Sequence, residues 1–181
     1  MPEVTIRHSR LSDLDGISAV YAHESGYANT LQLPFPSDEL WRKRLEGLDH
    51  NTKSLVAVRQ GEVIGQLSLI CQTIPRRKHV ATLGMGVAAG EGGRGVGTLL
   101  MEAALDLADN WLNISRVELE VYADNKPALA LYTKFGFRQE GYARGYAFRN
   151  GEYVDALFLV RFSGALLDLQ NADDTSPGSK T

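Results

Sequence analysis

The sequence predicts an α/β chain built on a mixed, mostly antiparallel sheet of about seven strands with four helices, and three stretches carry that prediction. Residues 80–87 read as a strand, a glycine-rich run follows, an amphipathic helix extends from Thr98 to about Leu112, and residues 116–122 form a further strand. A strand, helix and strand in that order form a crossover whose two strands lie parallel. Two β-branched, apolar segments, 54–59 and 62–72, meet at Gln60-Gly61, and two more, 138–149 and 152–162, meet at Asn150-Gly151. Both junctions are tight-hairpin signals, because a type I′ turn needs positive φ at its two central residues.

Taken in order, the chain opens with alternation over residues 4–8, a strand, and then Ser12, which can cap a helix running to about His23. Residues 24–36 break into Gly26, Tyr27, Asn29, Thr30, Pro34, Phe35 and Pro36, which is loop chemistry with aromatic rings interleaved. Ser37-Asp38-Glu39 starts a second helix with two acids placed to complement its dipole. The basic run Arg76 to His79 reads as a solvated hairpin tip rather than an anion site. In the third helix Leu99, Leu100, Ala103, Ala104, Leu107 and Ala108 share one stripe, so it packs on a sheet. Asn125 is the N-cap of a short fourth helix with Pro127 in its first turn, and Gly136 closes it. A domain over residues 1–163 is followed by a tail, 164–181, expected to be mobile from about Asn171.

A chain of 181 residues, 44% hydrophobic and 23% charged, is that of one ordinary globular domain. The net charge of −3 gives no global attraction to nucleic acid or anionic membrane. No apolar run approaches the ~20 residues that span a bilayer, and the charged N-terminus leaves no room for a signal peptide, so a cytoplasmic location is expected. One cysteine, Cys71, allows no intrachain disulfide and sits in an apolar strand, where packing outweighs reactivity. No metal is expected.

The strand, glycine loop and helix form an anion site, because a helix N-terminus exposes unpaired N–H groups and glycines let a phosphate lie against the backbone. Three phosphates compete for it. Gly90-Glu91-Gly92-Gly93-Arg94-Gly95 matches the GxGxxG of dinucleotide-binding oxidoreductases, with Glu118 and Glu120 near the distance of a ribose ligand. Against this, four strands precede the loop and no repeated crossover units follow it. A Walker-type loop fails, since Val96 and Gly97 stand where its lysine belongs.

The third reading joins the loop to what lies downstream. Gly92-x-x-Gly95-x-Gly97 followed by Thr98-Leu99-Leu100, together with Asn125-x-x-Ala128-x-x-Leu131-Tyr132-x-Lys134-x-Gly136-Phe137, resembles the two signature motifs of the GNAT superfamily of acetyl-CoA-dependent N-acetyltransferases. The order of elements over residues 4–162 is also that of the family. One position departs from it: the phosphate motif usually begins with Gln or Arg, and here it begins with Gly92. The resemblance implies that the pyrophosphate of acetyl-CoA lies on the N–H groups from Gly93 through Arg94, Gly95, Val96 and Gly97 to Thr98, with Arg94 replacing the lost donor. It implies that Met85 and Val87 pair with the pantetheine arm, that the Met85 N–H faces the thioester carbonyl, and that Asn125 and Ala128 complete the cofactor site. Tyr132 is then the general acid that protonates the departing thiolate, a role open to a neutral hydroxyl at pH 7.

The general base is left open among Glu118, Glu120 and His79, each of which also reads as a solvated surface group. The family's acceptor pocket falls on Tyr27, Asn29, Thr30, Leu31 and Phe35 and on the last hairpin, with Tyr142, Tyr146, Arg149, Tyr153 and Asp155; Asn29, Thr30 or Arg149 is placed to orient a carboxylate. Residues 29–37 and 149–156 are similar to those of bacterial N-acetyltransferases of apolar L-amino acids, which makes the expected partner a small-molecule amine. A binding module that holds acetyl-CoA without turnover stays open beside the enzyme, favoured by Gly92 and the unassigned base. Leu166, Leu167 and Leu169 are candidates for a homodimer interface or for a cover over the protein's own core.

Overall fold

The structure is a computed structural model that describes residues 3–172. Its seven-stranded sheet runs in the order β1-β2-β3-β4-β5-β7-β6, with β1 at Thr5–His8, β2 at Thr52–Arg59, β3 at Glu62–Cys71, β4 at Val80–Val87, β5 at Arg116–Tyr122, β6 at Arg138–Arg149 and β7 at Glu152–Phe162. Every neighbouring pair is antiparallel except β4 with β5. A single parallel pair, inside an otherwise antiparallel sheet, is what one crossover among hairpins produces. Both expected turns have positive φ at both positions: Gln60 and Gly61 at 51° and 85°, Asn150 and Gly151 at 52° and 83°.

Among the described residues six α-helices are present where four were expected: α1 (Leu14–Ala22), α2 (Glu24–Tyr27), α3 (Asp38–Glu46), α4 (Val96–Asn110), α5 (Lys126–Lys134) and α6 (Leu167–Ala172). The two additions are short. The first is one turn inside the expected 24–36 loop, where Gly26 packs against the backbone of α1 so closely that a Cβ would stand 2.4 Å from the Val20 carbonyl. The second carries the expected tail into helix through Ala172, with Leu167 and Leu169 exposed; residues 173–181 of that tail lie outside the described residues.

Ser12 does not cap α1. A 3₁₀ turn, Leu11–Asp13, precedes the helix, because the Asp13 carboxylate takes two hydrogen bonds from Arg7, at 2.7 and 2.8 Å, and one from the Arg10 N–H. The hydrogen bonds from Arg7 hold the Asp13 carboxyl below its ordinary range.

Strand alternation divides the core. Leu55, Ala57, Leu67, Leu69, Ala81 and Leu83 face α4 and α5, meeting Val96, Leu100, Met101, Ala104 and Tyr132. Val56, from the opposite face of β2, packs with Leu14, Ile17, Val20, Tyr21 and Trp41 of α1 and α3. One helix layer on each face buries both sides of the central strands.

Candidate functional site

The sheet opens in its middle. β4 and β5 are in register only at Val80↔Arg116, Ala81↔Val117 and Thr82↔Glu118, whereas β4 stays paired with β3 to Val87 and β5 with β7 to Tyr122. Beyond Thr82 the two strands therefore diverge. Hydrogen-bonding direction alternates along a strand. The Ala88 N–H bonds to Ile64 and the Val80 carbonyl accepts from Gln72, both on the β3 side, while the His79 carbonyl accepts from Ser115 and Arg116 on the β5 side. By that alternation the amides of Met85 and Val87 point into the gap that β5 vacates.

A cavity of about 620 Å³ fills this gap. One half lies on the α4 face, lined by Met85, Val87, Gly92, Gly93, Gly95, Val96, Gly97, Thr98, Asn125, Ala128 and Tyr132. The other lies on the α1 face, lined by Ser25, Asn29, Thr30, Leu31, Glu120, Tyr122 and Tyr146. The cavity thus crosses the sheet.

At the first half, Gly93 and Gly95 take φ of +74° and +84°, and Gly95 is the residue from which α4 starts. This left-handed entry begins the helix at Val96, two residues ahead of the expected Thr98, and leaves the first N–H groups of α4, on residues that line the cavity, without intrahelical acceptors. Gly97 is needed for a different reason. A Cβ there would stand 3.0 Å from the Leu131 side chain and 3.2 Å from that of Met85, so the helix lies against the cavity floor. Gly92 has open space around it, with nothing within 4 Å of a built Cβ. The loop is tied down through Glu91, which sits 2.7 Å from Arg59 of β2 and 3.6 Å from Arg94. Arg94 is exposed and does not line the cavity.

On α5, the Asn125 side chain accepts from the Ala128 N–H at 3.3 Å, the expected N-cap, and Gly136 ends the helix with φ of +84°. Tyr132 is 6% exposed, its ring tilted against Phe137 at 5.7 Å. Burial pushes its hydroxyl up to about 12, so it holds its proton at neutral pH. Beneath the cavity, Gly86 lets the Tyr21 ring approach: a Cβ would fall 2.6 Å from it. Tyr21 stacks on Trp41 at 5.0 Å and donates to Gln66 at 2.6 Å.

At the second half, Tyr122 donates to the Thr30 carbonyl at 3.0 Å, and Asn29 and Thr30 donate back to Ser25 and Gly26. Burial and the neighbouring Glu120 carboxylate raise the Tyr146 hydroxyl above its ordinary range. Sequence reasoning missed Tyr122 and Ser25 here. The strand alternation that puts Tyr122 on the face of Glu120 was a readable signal, while Ser25 carried none.

Several expected site residues stand elsewhere. Arg149 does not line the cavity. Its guanidinium pairs with Asp124, donates to the Ala28 carbonyl and lies over the Tyr122 ring, so it is not offered to an acceptor carboxylate. Phe35 is 97% exposed, Tyr153 packs edge-on to Phe148 at the tip of the hairpin, and Tyr27 is not a lining residue either. Of the three candidate bases, Glu118 is clamped by Arg116 at 2.6 Å and Arg77 at 2.9 Å. Burial raises its carboxyl, and the two arginines outweigh that and lower it. The Arg77 contact also makes the basic run part of an ion-pair chain. His79 lies six residues before Met85, about 20 Å along the strand, and borders a separate cleft with Cys71. Glu120 alone of the three reaches the cavity.

The profile of the acetyltransferase (GNAT) family matches residues 19–137. The chain belongs to that family. It is 44% identical over 161 residues to the L-amino acid N-acetyltransferase AaaT of Escherichia coli (strain K12), covering 89% of this chain and 99% of that one. It is 27% identical to the phosphinothricin N-acetyltransferase of Alcaligenes faecalis over 87% of this chain and 81% of the relative. Among solved structures, the spermidine N-acetyltransferase of Vibrio cholerae in complex with CoA and spermine superposes with a TM-score of 0.76 at 26% identity, over 88% of this chain and 95% of that one. This GNAT protein is an N-acetyltransferase, and enzymes of its family use acetyl-CoA. The dinucleotide reading of the glycine loop and the non-catalytic module both give way. Among the described residues no three His, Cys, Asp or Glu side chains form a metal-binding group, and no helix is long and apolar enough to cross a membrane.

Proposed function

We propose that this GNAT enzyme transfers acetyl from acetyl-CoA directly to the α-amine of an apolar L-amino acid. The observation that carries the reading is the cavity that crosses the sheet, with an anion cradle at one mouth and a carboxylate among aromatic rings at the other. The N–H groups of residues 93–98 hold the pyrophosphate at the helix N-terminus, and Gly97 lets that end of the helix sit close against Met85 and Leu131. The Met85 and Val87 amides, unused by β5, bind the pantetheine arm as an added strand would. Acetyl-CoA supplies the activated acetyl group.

The Met85 N–H is aimed where negative charge develops on the carbonyl oxygen, a contact worth about 2.7–4 kcal/mol of barrier. Tyr132, neutral and buried, delivers a proton to the leaving sulfur. Glu120, through a water, takes the first proton, which the substrate ammonium loses before its nitrogen can attack; the second, lost from that nitrogen as the amide forms, restores the proton that Tyr132 gives to the sulfur. For the acceptor, the similarity to AaaT supports an amino acid. Leu31, Tyr122 and Tyr146 suit its apolar side chain. No lysine or arginine lines that half, so neutral donors such as Asn29 and Ser25 meet the carboxylate.

Release of free thiol from acetyl-CoA across a panel of amines tests the reading. L-phenylalanine and L-methionine are expected to sustain release, and spermidine and aminoglycosides are not. A response confined to polyamines or aminoglycosides would overturn the acceptor assignment.

A further inference from the structure

The hairpin β6–β7 begins at its tip as a regular ladder: Arg149↔Glu152, Phe148↔Tyr153, Ala147↔Val154. Continued, that ladder would pair Tyr146 with Asp155. It breaks instead and resumes at Ala143↔Ala156, Tyr142↔Leu157 and Gly141↔Phe158, so residues 144–146 oppose Asp155 alone. Two extra residues stand in the edge strand. Side chains alternate faces along a strand, and the pairing decides which face each one takes.

Asp155 and Leu157 share one face of β7; Ala156 and Phe158 share the other, where Phe158 lies opposite Glu120 and Ala156 opposite Tyr122. An unbroken ladder would send Tyr146 to the Asp155 face, away from the α1-side half of the cavity. In the structure Tyr146 stands edge-on to Phe158, at 6.1 Å and 90°, and lines the cavity beside Glu120 and Tyr122. The bulge therefore moves this ring from one side of the sheet to the other.

The Asp155 carboxylate is bonded to both limbs of the bulge. One oxygen accepts the Gly145 N–H at 2.8 Å, and the other accepts the Tyr142 hydroxyl. Gly145 has φ of +57°, a conformation in which any residue with a Cβ is strained. Asp155 lines no part of the cavity itself.

We propose that Asp155 is a positioning residue of the acceptor site: its carboxylate holds the bulge that turns Tyr146 onto the Glu120 side of the sheet, and so sets affinity for the amine. This rests on the reading of the α1-side half of the cavity as the acceptor site. The test pairs a spectroscopic readout with kinetics. In protein carrying ¹³C-labelled tyrosine, the Tyr146 ring resonance, assigned through Tyr146→Phe, senses the edge-on Phe158 ring. Asp155→Ala is expected to shift it and to raise KM for L-phenylalanine about tenfold, with KM for acetyl-CoA within about twofold of wild type. Asp155→Asn, which can still accept the Gly145 N–H, should recover most of the loss. The double variant Asp155→Ala/Tyr146→Ala should be no worse than Tyr146→Ala alone, since one residue acts through the other.

Should Asp155→Ala disturb folding, Tyr142→Phe removes one hydroxyl from an exposed side chain and should move the same readouts by less. A Tyr146 resonance left in place by these variants overturns the proposal, and so does a shifted resonance with KM for the amine unaltered. Wild-type enzyme without amine-dependent thiol release would instead overturn the acceptor reading, while the resonance still decides whether Asp155 holds Tyr146.

Discussion

Two glycines three residues apart in the phosphate loop should respond to substitution with opposite signs. Gly92 is exposed, has no positive φ, and meets nothing within 4 Å of a built Cβ. Gly92→Arg therefore adds a guanidinium without strain, where the family motif usually carries a long side chain. A hydrogen bond between charged groups contributes about 1.5–3 kcal/mol when sheltered and less than about 1 kcal/mol when fully exposed. For an exposed position at the mouth of a cavity, about 1 kcal/mol is the appropriate figure, a roughly fivefold lower Kd for acetyl-CoA. Gly95 also has open space, but its φ of +84° is the left-handed entry to α4. Gly95→Ala costs about 1–2 kcal/mol of backbone strain; if the loop relaxes to relieve it, the first N–H groups of the helix turn away and Kd rises by a similar factor. Titration calorimetry with acetyl-CoA reads both. The gain from Gly92→Arg should shrink as ionic strength rises beyond about 0.1 M, where screening acts within about 10 Å. An unaltered Kd for Gly92→Arg, or a gain indifferent to salt, would refute the assignment of this loop to the pyrophosphate.

Four further outcomes follow from the site. Tyr132→Phe should lower kcat by about a hundredfold or more and leave acetyl-CoA affinity within about twofold, as steady-state and binding measurements would show. Since burial holds the Tyr132 proton up to about 12, loss of that proton should produce no fall in wild-type kcat below roughly pH 11. Glu120→Gln should reduce kcat/KM for the amine by about a hundredfold near pH 7, and a pH profile should show the deficit closing as the pH rises through the free amino acid's own ammonium pKa, where the nitrogen no longer needs a base. Gly86→Ala puts a Cβ 2.6 Å from the Tyr21 ring, so thermal unfolding should register an overpacking loss of about 1–3 kcal/mol.

What was legible in the sequence was local. Asn150-Gly151 and Gln60-Gly61 specify their turns through their own backbone preferences, Asn125 caps the helix it begins, and the glycine-rich run announces a loop in which Gly90, Gly93 and Gly95 take positive φ. What was illegible depends on partners far along the chain. Arg149 suits a carboxylate by chemistry, but the carboxylate it meets is Asp124, brought beside it only when β7 joins β5. His79 and Met85 share a strand, and only the point at which β5 diverges says which end becomes the site. The bulge that carries Tyr146 has a glycine within it, yet the residue that stabilises it, Asp155, lies ten positions away on the next strand. Ser12 likewise lost its expected role to a neighbour, Asp13, whose carboxylate was drawn to Arg7.

In the proposed reaction acetyl passes directly from acetyl-CoA to an amino-acid α-amine across the opened sheet. Cys71, the protein's one thiol, lies outside that cavity. The most direct measurement is mass spectrometry of both product and enzyme after a single turnover with acetyl-CoA and L-phenylalanine. Direct transfer should yield N-acetyl-L-phenylalanine and an enzyme that carries no acetyl group. An acetylated enzyme on the path to product, or acetyl-CoA left intact beside the amino acid, would contradict it.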